Sequence, residues 1–226
     1  VNHSIVLLDA GGTLITERRT RDEIYALVLG ELGLDVSVER IADLRLSVHD
    51  RTPAVVDGEV RYTPTWFREF IAGLLHELDS PLDAELVRAR LSEQFSRPEN
   101  FVVYADALDA LEQLTAMGAR LAVVSNWSDQ LPGLLDGLGI THYFEAVVVS
   151  AMVGHTKPER GIFEHALSRL DAAAEDALHV GDHPVNDLEA ARRAGLSALL
   201  LDRTGARPRG PDVIHSLDEL STRFSD

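Results

Sequence analysis

The sequence predicts an α/β protein: a parallel sheet flanked by helices, with a helical block inserted after the first strand. Short apolar runs at residues 6–8, 121–124, 147–149 and 199–201, and Leu178-His179-Val180, end in Gly or a polar residue, or pass into helical patterning, and read as buried strands. Helical spacing fills the intervals between the last four. Strands alternating with helices build βαβ units, whose strands run parallel. Residues 17–96, by contrast, carry only helix and loop patterning, so they interrupt the α/β part: 1–16 and 97–226 form one domain and 17–96 a second. At 226 residues the chain is long enough for a large domain with an insertion.

In chain order, Val6-Leu7-Leu8 ends abruptly in Asp9, and Gly11 and Gly12 follow. The glycines let the backbone turn sharply and come close to a ligand. Asp9 thus stands at a strand's carboxyl end, which faces the ligand crevice in open parallel sheets. Taken alone, these residues fit an ordinary turn capped by Asp9 equally well. In the inserted block, Ile24, Leu27, Val28 and Leu32 recur at helical spacing, with Gly33 as a stop. Residues 38–48 form a second, less regular helix, and 53–63, punctuated by Pro and Gly, a loop. Trp66, Phe67, Phe70, Ile71, Leu74, Leu75 and Leu78 make a broad apolar stripe on a third helix; Leu86, Val87, Leu91 and Phe95 mark a fourth. The aromatics share one helical face and read as core. Beyond residue 97, helices are expected at 105–117, 130–138, 159–170, 186–194 and 216–224.

Composition narrows the function. A net charge of -16 argues against nucleic-acid binding, which needs a basic face. No apolar run approaches membrane-spanning length, and the first residues do not pattern as a signal peptide. The lack of cysteine removes disulfides, thiol nucleophiles and cysteine-ligated metals, and fits a cytoplasmic setting. Of 21 basic residues, Lys157 is the single lysine. An acidic chain that handles an anionic substrate needs a local positive device such as a metal ion, a lysine or a helix N-terminus.

Three strands end in a chemically useful residue: Asp9, Ser125 and Asp182. The segment after a fourth brings Lys157 to a helix start. Each alone reads equally as a helix cap. Together, on one edge of a parallel sheet, they make a site. A carboxylate can attack phosphorus or a halogenated carbon and form an ester that water then cleaves. Asp9, Asp182 and Asp187 could share a Mg²⁺, which prefers carboxylates, carbonyls and waters. Asp187 also suits a helix N-terminus electrostatically. His183 reads as a loop residue, and His3, His142 and His155 follow no pattern.

The order Asp, Ser, Lys, Asp resembles the haloacid dehalogenase superfamily of hydrolases. Its first motif matches Leu8-Asp9-Ala10-Gly11-Gly12-Thr13, its second Val123-Val124-Ser125-Asn126, its third Gly154-His155-Thr156-Lys157-Pro158, and its fourth Val180-Gly181-Asp182 with Asp187 following. The resemblance covers essentially the whole chain. It implies a Rossmann-like core and a four-helix cap at 17–96. It also implies a nucleophile, Asp9, and a phosphate-binding set of Gly12, Ser125, Asn126 and Lys157, with Lys157 serving the nucleophile too. The implied metal set is Asp9, the Gly11 carbonyl, Asp182 and Asp187.

One position departs from that pattern. Phosphatases of the superfamily carry a second Asp two residues after the nucleophile, which protonates the leaving alcohol and then activates water. Here Gly11 stands there, and losing such a group typically costs about 10²–10⁴-fold in rate. Dehalogenases of similar cap type carry Tyr at this position and use no metal. Phosphonate-cleaving members use a cap lysine, and residues 17–96 contain none. The expected function is a Mg²⁺-dependent phosphohydrolase of a small phosphorylated metabolite, weakened at Gly11. The alternatives are a phosphate-binding regulatory protein that has lost turnover, and a metal-free 2-haloacid dehalogenase.

Overall fold

The computed structural model describes residues 4–225, so His3 lies outside the described residues. The chain starts with β1 (Ile5–Leu8), turns through the glycine loop and forms β2 (Ile15–Glu17). Four helices follow: α1 (Arg21–Glu31), α2 (Val38–Arg51), α3 (Pro64–Glu77) and α4 (Ala84–Ser96). A hairpin, β3 (Val55–Val56) and β4 (Glu59–Val60), lies between α2 and α3. β5 (Phe101–Val103) pairs with β2. Then come α5 (Ala105–Ala116), β6 (Arg120–Ser125), α6 (Leu131–Gly137), β7 (Ala146–Val149), α7 (Ser150–Val153), α8 (Arg160–Arg169) and β8 (Ala177–Gly181). The chain closes with α9 (Ala190–Arg193), β9 (Ser197–Leu201), β10 (Val213–Ile214) and α10 (Leu220–Ser225).

The main sheet has six strands in the order β10-β9-β8-β1-β6-β7, and its strand pairs are all parallel. From β1 the chain returns through β6 on one side and moves out to β7. It then crosses to β8 on the other side and continues to β9 and β10. Strand order therefore reverses at β1, and the crevice beyond the carboxyl ends of β1, β6 and β8 is a topological switch point, where open α/β sheets bind ligands. All four β1 residues are buried, as double coverage of a central parallel strand requires. Ile5, Leu7, Ala122 and Val124 pack with Ile162, Phe163 and Ala166 of α8, with Ala190 and Ala191 of α9 and with Ala194 just beyond it. Each fully buried large aliphatic residue contributes about 1.5–3 kcal/mol.

The chain divides into two compact units, residues 1–16 with 102–226 and residues 17–101. Segment 97–101 goes with the helical unit because Asn100 binds back to it. Its carbonyl accepts from the Arg18 N–H at 2.8 Å, and its side chain donates to the Gln94 carbonyl at 2.8 Å. The helical unit has its own core of Ile24, Val28, Leu29, Ile41, Phe70, Leu74 and Leu91, among others. Its helices start on side-chain caps: Thr20 forms a reciprocal capping box with Glu23, and Ser37, Thr63 and Asp83 each accept a backbone N–H. The aromatic stripe of α3 is core, with Trp66 and Phe70 stacked at 5.6 Å.

Three details differ from the sequence reading. The expected 53–63 loop holds the β3–β4 hairpin, turned by Asp57 (φ 50) and Gly58 (φ 84), a pair suited to a two-residue turn with both φ positive. The helix expected at 186–194 starts earlier, with a single π turn, Pro184–Glu189, before α9. Residues 216–224 begin as a 3₁₀ turn, Leu217–Glu219, before α10. No helix among the described residues is long and apolar enough to cross a membrane.

Candidate active site

The site is built at the carboxyl end of β1. The Asp9 N–H donates to the Val180 carbonyl of β8 at 2.9 Å, which fixes the first residue beyond the strand. The Ala10 carbonyl then accepts from the Leu14 and Ile15 N–H groups at 2.8 and 3.0 Å, closing a tight loop over residues 10–15. Gly12 has φ +73, and a Cβ there would lie 2.8 Å from the Asp182 carboxyl carbon, so both backbone and space demand glycine. Gly11 has no left-handed φ. A Cβ at Gly11 would instead meet the Trp127 ring, 2.9 Å from Cζ3.

Lys157 reaches under this loop. Its Nζ donates to Asp9 Oδ1 at 2.7 Å and to Asp187 Oδ1 at 2.6 Å, and all three side chains are buried. Burial would pull the Lys157 ammonium down; the charges of Asp9 and Asp187 overcome this and hold it well above the usual lysine range. Its backbone is clamped by Asn126, whose Oδ1 accepts the Lys157 N–H at 2.7 Å and whose Nδ2 donates to the Lys157 carbonyl at 2.8 Å. Asp187 is doubly engaged: Oδ1 also meets His179 Nε2 at 3.0 Å, and Oδ2 accepts the His183 N–H at 2.9 Å. Burial would raise its carboxyl, but Lys157 and His179 hold it well below the ordinary range. Gly181 leaves room for it, since a Cβ there would strike the Asp187 side chain.

Negative charge exceeds positive here. One carboxylate oxygen from each of Asp9, Asp182 and Asp187 lies within 4.8 Å of the others. Burial pushes the Asp9 carboxyl up; Lys157 and the Ser125 hydroxyl offset part of this, and the Asp187 charge adds to it. Asp182 is more open, yet its carboxyl end lies against Gly12. Desolvation of that end, then the charges of Asp9 and Asp187, push it up to about 6. Three acidic side chains crowd one ammonium, and two of them, Asp9 and Asp182, resist ionisation there; such a cluster fits a hard divalent cation, which prefers oxygen donors.

The residues expected from sequence therefore meet. Asp9, Ser125, Asn126, Lys157, Asp182 and Asp187 share one crevice, with Gly11 and Gly12 in its loop. Sequence reasoning missed four contributors. His179 sits at the centre of β8, fully buried, behind Asp187. His183 caps the π turn, its Nδ1 accepting the Val185 and Asn186 N–H groups at 3.1 Å each. Trp127 covers Gly11. Arg203 donates to the Gly12 and Thr13 carbonyls at 3.1 and 2.7 Å, pairs with Asp106 at 2.8 Å and lies 3.7 Å above the Tyr104 ring.

A parallel sheet whose switch-point crevice holds carboxylates around a buried lysine defines an α/β protein with a site suited to nucleophilic chemistry on an anionic ligand. The haloacid dehalogenase-like hydrolase family matches residues 3–195, and the chain belongs to that family. It is 30% identical over 233 aligned positions to "Haloacid dehalogenase-like hydrolase domain-containing protein 3" of Danio rerio, covering 97% of this chain and 95% of that one. It is 30% identical over 218 positions to a glyceraldehyde 3-phosphate phosphatase of Methanopyrus kandleri, covering 92% and 89%. Among solved structures, a HAD phosphatase from Thermococcus onnurineus superposes with a TM-score of 0.70 at 25% identity, covering 98% and 97%.

Proposed function

We propose that the protein is a Mg²⁺-dependent phosphohydrolase of a small phosphorylated metabolite, acting through an aspartyl-phosphate on Asp9. The observation that carries this reading is the buried ammonium of Lys157, 2.7 Å from Asp9 in a crevice that also holds Asp182 and Asp187. Asp9 attacks phosphorus, and the P–O bond to the leaving group breaks. The Lys157 charge steadies both the nucleophile and the phosphoryl group, and the Ser125 hydroxyl with the Asn126 and Gly12 backbone holds phosphoryl oxygens. Asp9, Asp182 and the Gly11 carbonyl would hold the metal; Asp187, with both oxygens engaged, serves by fixing Lys157. When bound, Mg²⁺ supplies the positive charge that lets a carboxylate approach an anionic phosphoryl group. In this reading the helical unit, 17–101, is the cap that selects the metabolite. The setting is cytoplasmic, with neither nucleic acid nor membrane as partner.

Gly11 favours a second reading, a phosphate-binding regulatory protein without turnover. The acidic trio argues against a third, a metal-free dehalogenase, because Asp182 has no cationic partner of its own among the described contacts. One experiment separates the three: para-nitrophenyl phosphate turnover with and without Mg²⁺, beside chloride release from 2-chloropropionate. Mg²⁺-dependent phosphate release supports the proposal. Phosphate binding with no turnover supports the second reading, and chloride release in chelator supports the third.

A further inference from the structure

We infer that Trp127 makes this site selective for phosphoryl groups whose leaving group departs without a proton: acyl, enol and aryl phosphates rather than alkyl phosphates. The inference rests on the phosphohydrolase reading and adds the substrate class to it.

The argument starts at Gly11, in the turn directly beyond Asp9. This is the position at which the phosphatases that the chain resembles carry the carboxyl that protonates the leaving oxygen. The backbone there would accept a side chain, since Gly11 is not left-handed. Space would not: an added Cβ would lie 2.9 Å from Trp127 Cζ3, with Cη2 and Cε3 at 3.8 and 3.9 Å. These are ring carbons, which carry no transferable proton. The indole is held from its own backbone. The Trp127 N–H donates to Ser150 Oγ at 3.1 Å, the Ser150 hydroxyl donates to the Trp127 carbonyl at 3.2 Å, and the Ala151 N–H reaches that carbonyl at 3.3 Å. Ser150 is fully buried, so its two bonds fix residue 127 in the turn after β6. Gly11 and Trp127 are therefore complementary, and position 11 holds a carbon wall where a proton donor would stand.

The cationic group beside Asp9 does not fill the gap. Lys157 Nζ is already shared between Asp9 and Asp187. So in the first step Asp9 Oδ forms the bond to phosphorus, and the leaving oxygen takes the P–O electron pair away as a carboxylate, enolate or phenolate. In the second step water attacks phosphorus and the Asp9 O–P bond breaks. The released phosphate keeps both water protons as dihydrogen phosphate, so no side chain at position 11 is needed. An alkoxide leaves too poorly for this route.

The test measures kcat/KM for acetyl, para-nitrophenyl, phenyl and ethyl phosphate with Mg²⁺, each corrected for its uncatalysed rate, and the inhibition constant of ethyl phosphate. The inference expects a steep fall along that series, with ethyl phosphate on the order of 10²–10⁴-fold below para-nitrophenyl phosphate yet still a competitive inhibitor. In the double variant Gly11→Asp/Trp127→Ala the gap should narrow at least about tenfold, and by more than in Gly11→Asp alone. Ethyl phosphate turned over within a few-fold of para-nitrophenyl phosphate by the wild-type protein would overturn the inference. A steep series with no narrowing in a double variant that melts like wild type would remove Trp127 from it. Failure to hydrolyse even acetyl phosphate would instead overturn the phosphohydrolase reading on which it stands.

Discussion

At the scale of single residues, the site turns on Lys157. Its ammonium is the partner that two buried carboxylates share, and each would otherwise sit desolvated. Breaking a buried pair costs about 3–5 kcal/mol, because the orphaned charge stays behind. Lys157→Met should therefore lower the unfolding free energy by about 3–5 kcal/mol, read as a lower urea midpoint with an unchanged m-value. A variant as stable as wild type would mean the carboxylates shed their charge. Asp106 makes a pH-dependent contribution. Burial would raise its carboxyl, but Arg203, the Leu217 N–H and Ser216 hold it below its ordinary value of 3.8. A carboxyl depressed on folding adds stability above its unfolded value and loses it as pH falls through the folded one. The stability gap between wild type and Asp106→Asn should thus be constant at neutral pH and shrink as pH drops below about 3.8; a gap that widens there would contradict the pairing. Asp9, Ser125 and Asp182 were legible because each stands at the end of a buried strand, and Lys157 because it stands in the turn just before a helix. His179 was not, since in Leu178-His179-Val180 it reads as one more strand residue. Nor was Arg203, which meets Gly12 only because the sheet brings residues 191 apart in sequence together.

At the scale of elements, the turn after β8 does most to shape the site. Pro184 supplies a preset φ without an N–H, His183 accepts two of the free N–H groups, and the widened turn carries Asp187 inward to Lys157. Loss of a cap costs about 0.5–2 kcal/mol. His183→Ala should therefore lower stability by that amount and speed amide exchange at Val185 and Asn186; wild-type protection at both would contradict the capping role. Apolar spacing announced a helix here, but six residues are too few to reveal a π turn. The β3–β4 hairpin was hidden for a similar reason, as two-residue strands are too short to show a period. The five longer strands of the main sheet were legible because they are largely buried and so read as runs of apolar residues, broken in β8 by His179 alone between Leu178 and Val180.

At the scale of the whole molecule, a chain of net charge -16 concentrates three acidic side chains around one lysine. A cation that binds only the folded state stabilises it by mass action. Mg²⁺ should therefore raise the melting temperature of the wild-type protein and leave Asp182→Asn unmoved; equal shifts in both would place the metal elsewhere. Strand and helix alternation made the α/β class legible, and the motif order made the family legible. The reversal of strand order at β1, which sets Asp9 in the crevice, became visible only in the fold. That placement makes Asp9 the centre of the account, and its chemistry can be read directly. A crystal soaked with Mg²⁺ and beryllofluoride should show a tetrahedral beryllofluoride bonded to the Asp9 carboxylate, beside Lys157 Nζ. An adduct on another side chain, or bare Asp9 with the metal in place, would contradict it.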